Sequence, residues 1–175
     1  MATPRSGSTA GRHPGGVLSW AAAAVGLGHA AFSVYWGLGG TWLLDTVAGG
    51  AMVPTETNGS VLVLLVWAAA LVKLGVAVTP LVLRYVALPR PLRRLGRFLG
   101  WAASVVLTLY GAVFTGAALL VLGGVLEAGP DVDRTALAWH GFLWDPWFLA
   151  WGLLLGAALW RSRDARTART ADVAA

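Results

Sequence analysis

Residues 61–83 read VLVLLVWAAALVKLGVAVTPLVL, with Lys73 as the only charge in 23 residues. The run lacks the strict apolar–polar alternation of a barrel strand. A hydrocarbon core of roughly 30 Å is crossed by about 20 helical residues, so the run is a membrane-spanning helix by length and composition. Lipid admits only helices and closed barrels, because every backbone polar group must be satisfied internally. On either side of this run, residues 17–38, 98–122 and 141–160 form three more apolar segments of 22, 25 and 20 residues. The four segments together hold 90 of the 175 residues, so the membrane part is most of the protein.

Composition agrees. Hydrophobic residues are 57% and charged residues 12%, with a mean hydropathy of +0.69. A soluble domain carries roughly 25% charge, and a disordered chain needs low hydrophobicity, so both classes are excluded. The absence of cysteine excludes disulfides, zinc–thiolate sites and iron–sulfur clusters. The expected fold is all-α, a four-helix transmembrane bundle over residues 17–160. A Gly/Ser/Pro-rich, disordered tail over residues 1–16 precedes it, and a basic tail over residues 161–175 follows. The first segment reads as a retained helix rather than a signal peptide. It is longer than a usual signal-peptide core and runs into YWGLGGTW.

Charge sets the orientation. Arg5 and Arg12 precede the first helix. Arg84, Arg90, Arg93, Arg94 and Arg97 lie between the second and third, and Arg161, Arg163, Arg166 and Arg169 follow the fourth. Only Arg134 falls on the other side, and most of the acids fall there with it. The positive-inside rule then places both termini in the cytoplasm of a multi-pass protein of the inner, plasma membrane. The same arginine clusters predict contact with anionic lipid rather than nucleic acid. Tryptophans mark both interfaces: Trp20, Trp101 and Trp160 the inner, and Trp36, Trp42, Trp139 and Trp144 the outer. Trp67, Trp147 and Trp151 lie deeper.

Lys73 is the most informative single residue. It lies about 15 Å from the cytoplasmic interface, further than its stem can snorkel. A lysine at mid-membrane costs roughly 2.5–3.5 kcal/mol on insertion scales, which argues for an interior position with a partner. His29 and Tyr110 fall at the same depth on the first and third helices. His29, Lys73 and Tyr110 therefore define a candidate midplane polar cluster, either structural glue or a ligand, ion or proton site. Asp45, His140 and Asp145 define a candidate outer-face cluster, without the spacing of a metal motif. Asp145-Pro146 reads as a helix start, but a helix beginning there is short. A two-part helix from near Thr135, bent at Pro146, places His140, Trp144, Trp147 and Trp151 on one face. Gly152 and Gly156 form a GxxxG, which serves close helix packing within the bundle or between the protomers of a homo-oligomer. No cofactor is implied: His29 and His140 differ in depth by roughly 12–15 Å, too far to share a haem iron. Phosphate loops, Ser/His/Asp sets and zinc-protease helices are likewise missing from the sequence.

HAAFSVYWGLGGTWLLD (residues 29–45) and AWHGFLWDPWFLAWGLLLGAALWR (residues 138–161) resemble short, functionally uncharacterised four-helix membrane proteins of bacteria, of the actinobacterial type. The resemblance implies signature positions at His29, Tyr35, Trp36, Gly39, Gly40, Asp45, Trp144, Asp145, Pro146 and Trp147, and brings no activity with it. The first functional reading is a non-enzymatic accessory or structural protein that associates through its aromatic outer face and GxxxG. A small-molecule binder or proton-coupled transporter built on the midplane cluster is the second, and a quinone-dependent membrane oxidoreductase the third.

Overall fold

The computed structural model describes residues 14–48, 59–130 and 132–174, and side chains no further than residue 162. Residues 1–13 of the expected 1–16 tail lie outside the described residues, as do Arg5 and Arg12 and the side chains of Arg163, Arg166 and Arg169. Every regular element among the described residues is helical: α1 (Pro14–Gly37), α2 (Asp45–Ala48), α3 (Gly59–Tyr85), α4 (Arg90–Leu122), α5 (Arg134–Trp139), a π-helical turn (His140–Trp144) and α6 (Asp145–Ala174). Among the described residues, four helices are long and apolar enough to cross a membrane: α1, α3, α4 and the run from Arg134 to Ser162.

The helices overrun the apolar segments, and local chemistry accounts for two of the ends. α1 starts at Pro14 and so takes in the last residues of the expected tail. Proline suits a first helical turn, where its missing N–H has no partner to lose. α4 begins at Arg90, eight residues before the apolar run, with Pro91 in its first turn. The arginine-rich connection therefore shrinks to residues 86–89, and Arg90, Arg93, Arg94 and Arg97 ride on the first turns of α4. α6 likewise continues through residues 161–174. α3 runs unbroken through the buried Pro80, beside which the Thr79 hydroxyl donates to the Gly75 carbonyl at 2.8 Å.

α1 packs on α3 and on α6, α6 packs on α4, and α3 meets α4 only lightly. The order around the bundle is thus α3–α1–α6–α4. Burial follows that order: 39% of the apolar window is buried in α1 and in the Arg134–Ser162 run, against 11% in α3 and in α4. The outer pair presents rows such as Leu64, Leu71 and Val72, or Val106, Leu109 and Val113, to the surroundings. Where α3 and α4 do meet, Leu83 lies against Gly96 and Thr79 against Gly100, at their connected end. The start of α1, the end of α3 and residue 161 also share that end, because Gly15 lies against both Arg84 and Arg161. Arg84, Arg161 and the arginines that open α4 thus gather at one end of the fold, by chain path alone.

The fourth span is two-part, as its sequence suggests, but the joint is a π-helical turn. α5 opens on Asp133, whose carboxylate accepts from the Thr135 and Ala136 backbone N–H groups at 2.8 and 3.2 Å. Five residues of π-helix then lead into Asp145-Pro146. Proline lacks the N–H for the next α-helical bond, and a wider turn ahead of it absorbs the mismatch. The insertion rotates everything beyond it, which decides where His140 points.

Candidate functional site

At the arginine-poor end the chain turns after α1 through Gly39 and Gly40. Gly39 takes a φ of +93°, a conformation that favours glycine, and the Gly40 N–H returns to the Tyr35 carbonyl at 2.9 Å. The chain then enters α2 through Leu43, at a φ of 59°, whose carbonyl accepts from the Thr46 hydroxyl at 2.7 Å. This path brings Thr46 and Val47 against the fourth span. One His140 ring nitrogen, Nδ1, faces both Asp145 carboxylate oxygens at 3.2 Å, and Nε2 lies 2.7 Å from the Val47 carbonyl. The Trp144 indole N–H donates to the Thr46 hydroxyl at 3.1 Å. Asp145 is buried, at 1% exposure, and pairs with a His140 side chain that is itself partly exposed.

Two expectations change here. The outer cluster keeps His140 and Asp145 but not Asp45, which is exposed at the start of α2, and the Val47 carbonyl takes the third place. Among the described residues, no three His, Asp or Glu side chains come close enough to hold a metal together. His140 also parts from Trp147 and Trp151: it joins Trp144 against α2, whereas Trp147 reaches the Val25 carbonyl and Trp151 lies against Gly26 of α1. The π-helical turn adds a residue to the repeat and pairs His140 with the residue five positions on.

The GxxxG works inside the bundle. A Cβ on Gly152 would lie 2.6 Å from the Thr108 backbone nitrogen, and one on Gly156 2.7 Å from the Ser104 hydroxyl. Ser104 uses this closeness to donate to the Gly152 carbonyl at 2.8 Å. Gly111 continues the contact against the backbone of Leu149. The Gly152 and Gly156 faces are thus covered by α4.

At mid-depth, His29 is 3% exposed and enclosed by rings of the fourth span. Its ring centroid lies 4.2 Å from Phe148, 5.5 Å from Trp147, 6.0 Å from Trp144 and 6.3 Å from Trp151. Gly26 and Gly28 admit this enclosure: a Cβ on Gly26 would lie 2.5 Å from the Trp151 ring, and one on Gly28 3.1 Å from Trp147. Trp147 is anchored by its indole N–H to the Val25 carbonyl at 3.0 Å. Among the described residues, neither His29 ring nitrogen has a hydrogen-bond partner, and neither does the Trp151 indole nitrogen, although all three atoms are buried. Lys73 reaches the same layer from α3. Its ammonium donates to the Ser33 hydroxyl, one helical turn from His29, at 2.8 Å and stands 5.6 Å from the Phe148 ring centre. Tyr110, 40% exposed, approaches Phe148 from α4, with ring centroids 5.4 Å apart.

The three midplane residues therefore converge on one ring, Phe148, without hydrogen-bonding one another. Depth along each helix is readable from sequence, but rotation about the helix axes is not. Sequence reasoning misses Phe148, Ser33 and the glycine pair before His29 for that reason. The visible signal is the GLGH spacing of residues 26–29, which sets small residues one position and three positions from a buried histidine.

These features define a small helical protein with four helices of membrane-spanning length and a polar layer at mid-depth. The chain belongs to DUF3995, a family of proteins of unknown function, whose model matches residues 24–155. The match spans His29, Lys73, Tyr110, His140, Asp145 and Gly152, and stops one residue before Gly156. No curated protein and no solved structure matches the chain.

Proposed function

We propose that this chain is a membrane-embedded binder of a small molecule bearing hydrogen-bond-accepting oxygens, held at the midplane by His29, Lys73 and Trp151. The observation that carries the reading is the pair of buried, unpartnered groups, His29 and Trp151, in one layer with Lys73. An unmade hydrogen bond on a buried polar group costs roughly 1–3 kcal/mol, and two such groups in one layer are an expensive way to pack a core. The indole and the ammonium are donors only, and histidine carries at least one N–H. No carboxylate pairs with Lys73 among the described residues. A donor-rich layer of this kind suits a carboxylate, another small anion or the carbonyl of a quinone. The lightly packed side between α3 and α4, with Tyr110 half in and half out, is the route that a molecule dissolved in the bilayer would take. The arginine-rich end faces the cytoplasm of a plasma-membrane protein in this reading, on the strength of the positive-inside rule.

Association through the GxxxG and the aromatic belt, the basis of an accessory role, has less support. Gly152 and Gly156 pack on α4, and Trp36, Trp67, Trp144 and Trp147 each donate to a group of their own chain. The test is a native mass spectrum of the full chain released from lipid nanodiscs. The expected result is a specific non-lipid adduct on the wild type that Lys73→Met loses. A bare wild-type protein, or an adduct that Lys73→Met retains, contradicts the reading.

A further inference from the structure

We propose that the groove between the start of α1 and the end of α3 is a binding site for one anionic phospholipid, with Arg84 as the headgroup ligand. The groove has a volume of about 690 Å³, and Val17, Trp20, Ala21 and Ala24 of α1 face Arg84 and Tyr85 of α3 across it. Its two ends differ in chemistry. Ala21 and Ala24, further along α1 than the Gly15–Gly16 pair that lies against Arg84, offer only hydrocarbon, which suits an acyl chain. At the other end the Arg84 guanidinium lies 5.6 Å from the Tyr85 ring, and Trp20 and Tyr85 stand 6.3 Å apart. Both aromatics are 58% exposed. Indole and phenol rings of that kind settle at the headgroup level of a bilayer.

Charge selects the occupant. Arg84 pairs with no carboxylate among the described residues, and its Nε is buried without a hydrogen-bond partner. Arg161 starts from the same corner, since Gly15 lies against both arginine side chains. A guanidinium offers several N–H groups in a planar fork that matches phosphate oxygens, and a net negative headgroup answers the excess positive charge. A zwitterionic headgroup leaves that excess in place. This site is separate from the midplane layer and stands whether or not that layer binds a ligand.

The experiment is native mass spectrometry of the full chain with phosphatidylglycerol or phosphatidylcholine of identical acyl chains. Wild-type protein is expected to retain one phosphatidylglycerol in preference to phosphatidylcholine, and Arg84→Gln to reduce that preference by about fivefold, the worth of one basic residue near an anionic surface. Arg134→Gln, at the opposite end, is expected to leave it unchanged. Ala24→Phe fills the groove without touching the charge and is expected to lower retention of both lipids, which keeps the test open if Arg84→Gln does not fold. Equal retention of the two lipids by the wild type overturns the proposal, and so does a preference that survives Arg84→Gln or a phosphatidylglycerol retention that Ala24→Phe leaves unchanged.

Discussion

The two polar clusters of the bundle are built on opposite terms. At the arginine-poor end, His140, Asp145, Trp144 and Thr46 satisfy one another and the Val47 carbonyl. At mid-depth, His29 and the Trp151 indole are as buried as Asp145 and Trp144 and have no hydrogen-bond partner among the described residues. The first arrangement ties α2 to the fourth span and contributes to the fold. In the second, Lys73 bonds Ser33, but His29 and Trp151 contribute no hydrogen bond to the fold and cost stability where they stand. A chain that needs only a packed midplane does better with leucine and phenylalanine at those positions. The contrast between a satisfied lock and an unsatisfied layer is what separates a structural cluster from a candidate binding site here.

Substitution at the lock has the largest expected effect. His140→Ala leaves the Asp145 carboxylate buried without its partner, and loss of one member of a buried pair costs roughly 3–5 kcal/mol. The lower end is expected, because the His140 side chain is 26% exposed. Unfolding by denaturant in detergent micelles, followed by near-UV circular dichroism, reads the loss; a change below about 1 kcal/mol would show that the lock does not hold. Gly152→Leu drives a side chain into the Thr108 backbone and is expected to cost roughly 1–3 kcal/mol, at the upper end. The same unfolding measurement applies, and a variant as stable as wild type would place the α4–α6 contact elsewhere.

Two conservative tryptophan changes set lock and layer side by side, with smaller effects. Both changes give up the same ring volume at a fully buried site, so the hydrogen bond is read from their difference. Trp144→Phe also removes the bond to the Thr46 hydroxyl, whereas Trp151→Phe removes an N–H that bonds nothing, and Trp151→Phe is expected to cost about 1 kcal/mol less than Trp144→Phe. Equal losses in the two variants would erase the distinction between the clusters.

Much of the architecture is legible in the sequence. The four spans follow from hydropathy and length, because bilayer thickness imposes both. Their ends do not, because hydropathy sees the apolar part of α4 and not the two turns that Arg90, Arg93, Arg94 and Arg97 add ahead of it. Counting along each helix sets His29, Lys73 and Tyr110 at one depth. Their convergence on Phe148 depends on how each helix is rotated, which four nearly all-apolar surfaces do not encode. Asp45 falls outside the outer cluster because the backbone turn at Leu43 sets the path of α2, and a positive φ at a leucine has no sequence signature. The face of His140 is lost to sequence reading because a regular repeat of 3.6 residues does not carry across a π-helical turn.

Whether the midplane polar groups serve binding rather than the fold turns on the unfolding free energy of His29→Leu, measured on purified, full-length protein beside the wild type. Leucine removes two unpartnered ring nitrogens and keeps an apolar body against Phe148 and Trp151. If the layer is there for a ligand, the variant is as stable as the wild type or more stable, by up to about 1 kcal/mol. A loss of more than about 2 kcal/mol would make His29 a structural residue and overturn the distinction between the two clusters.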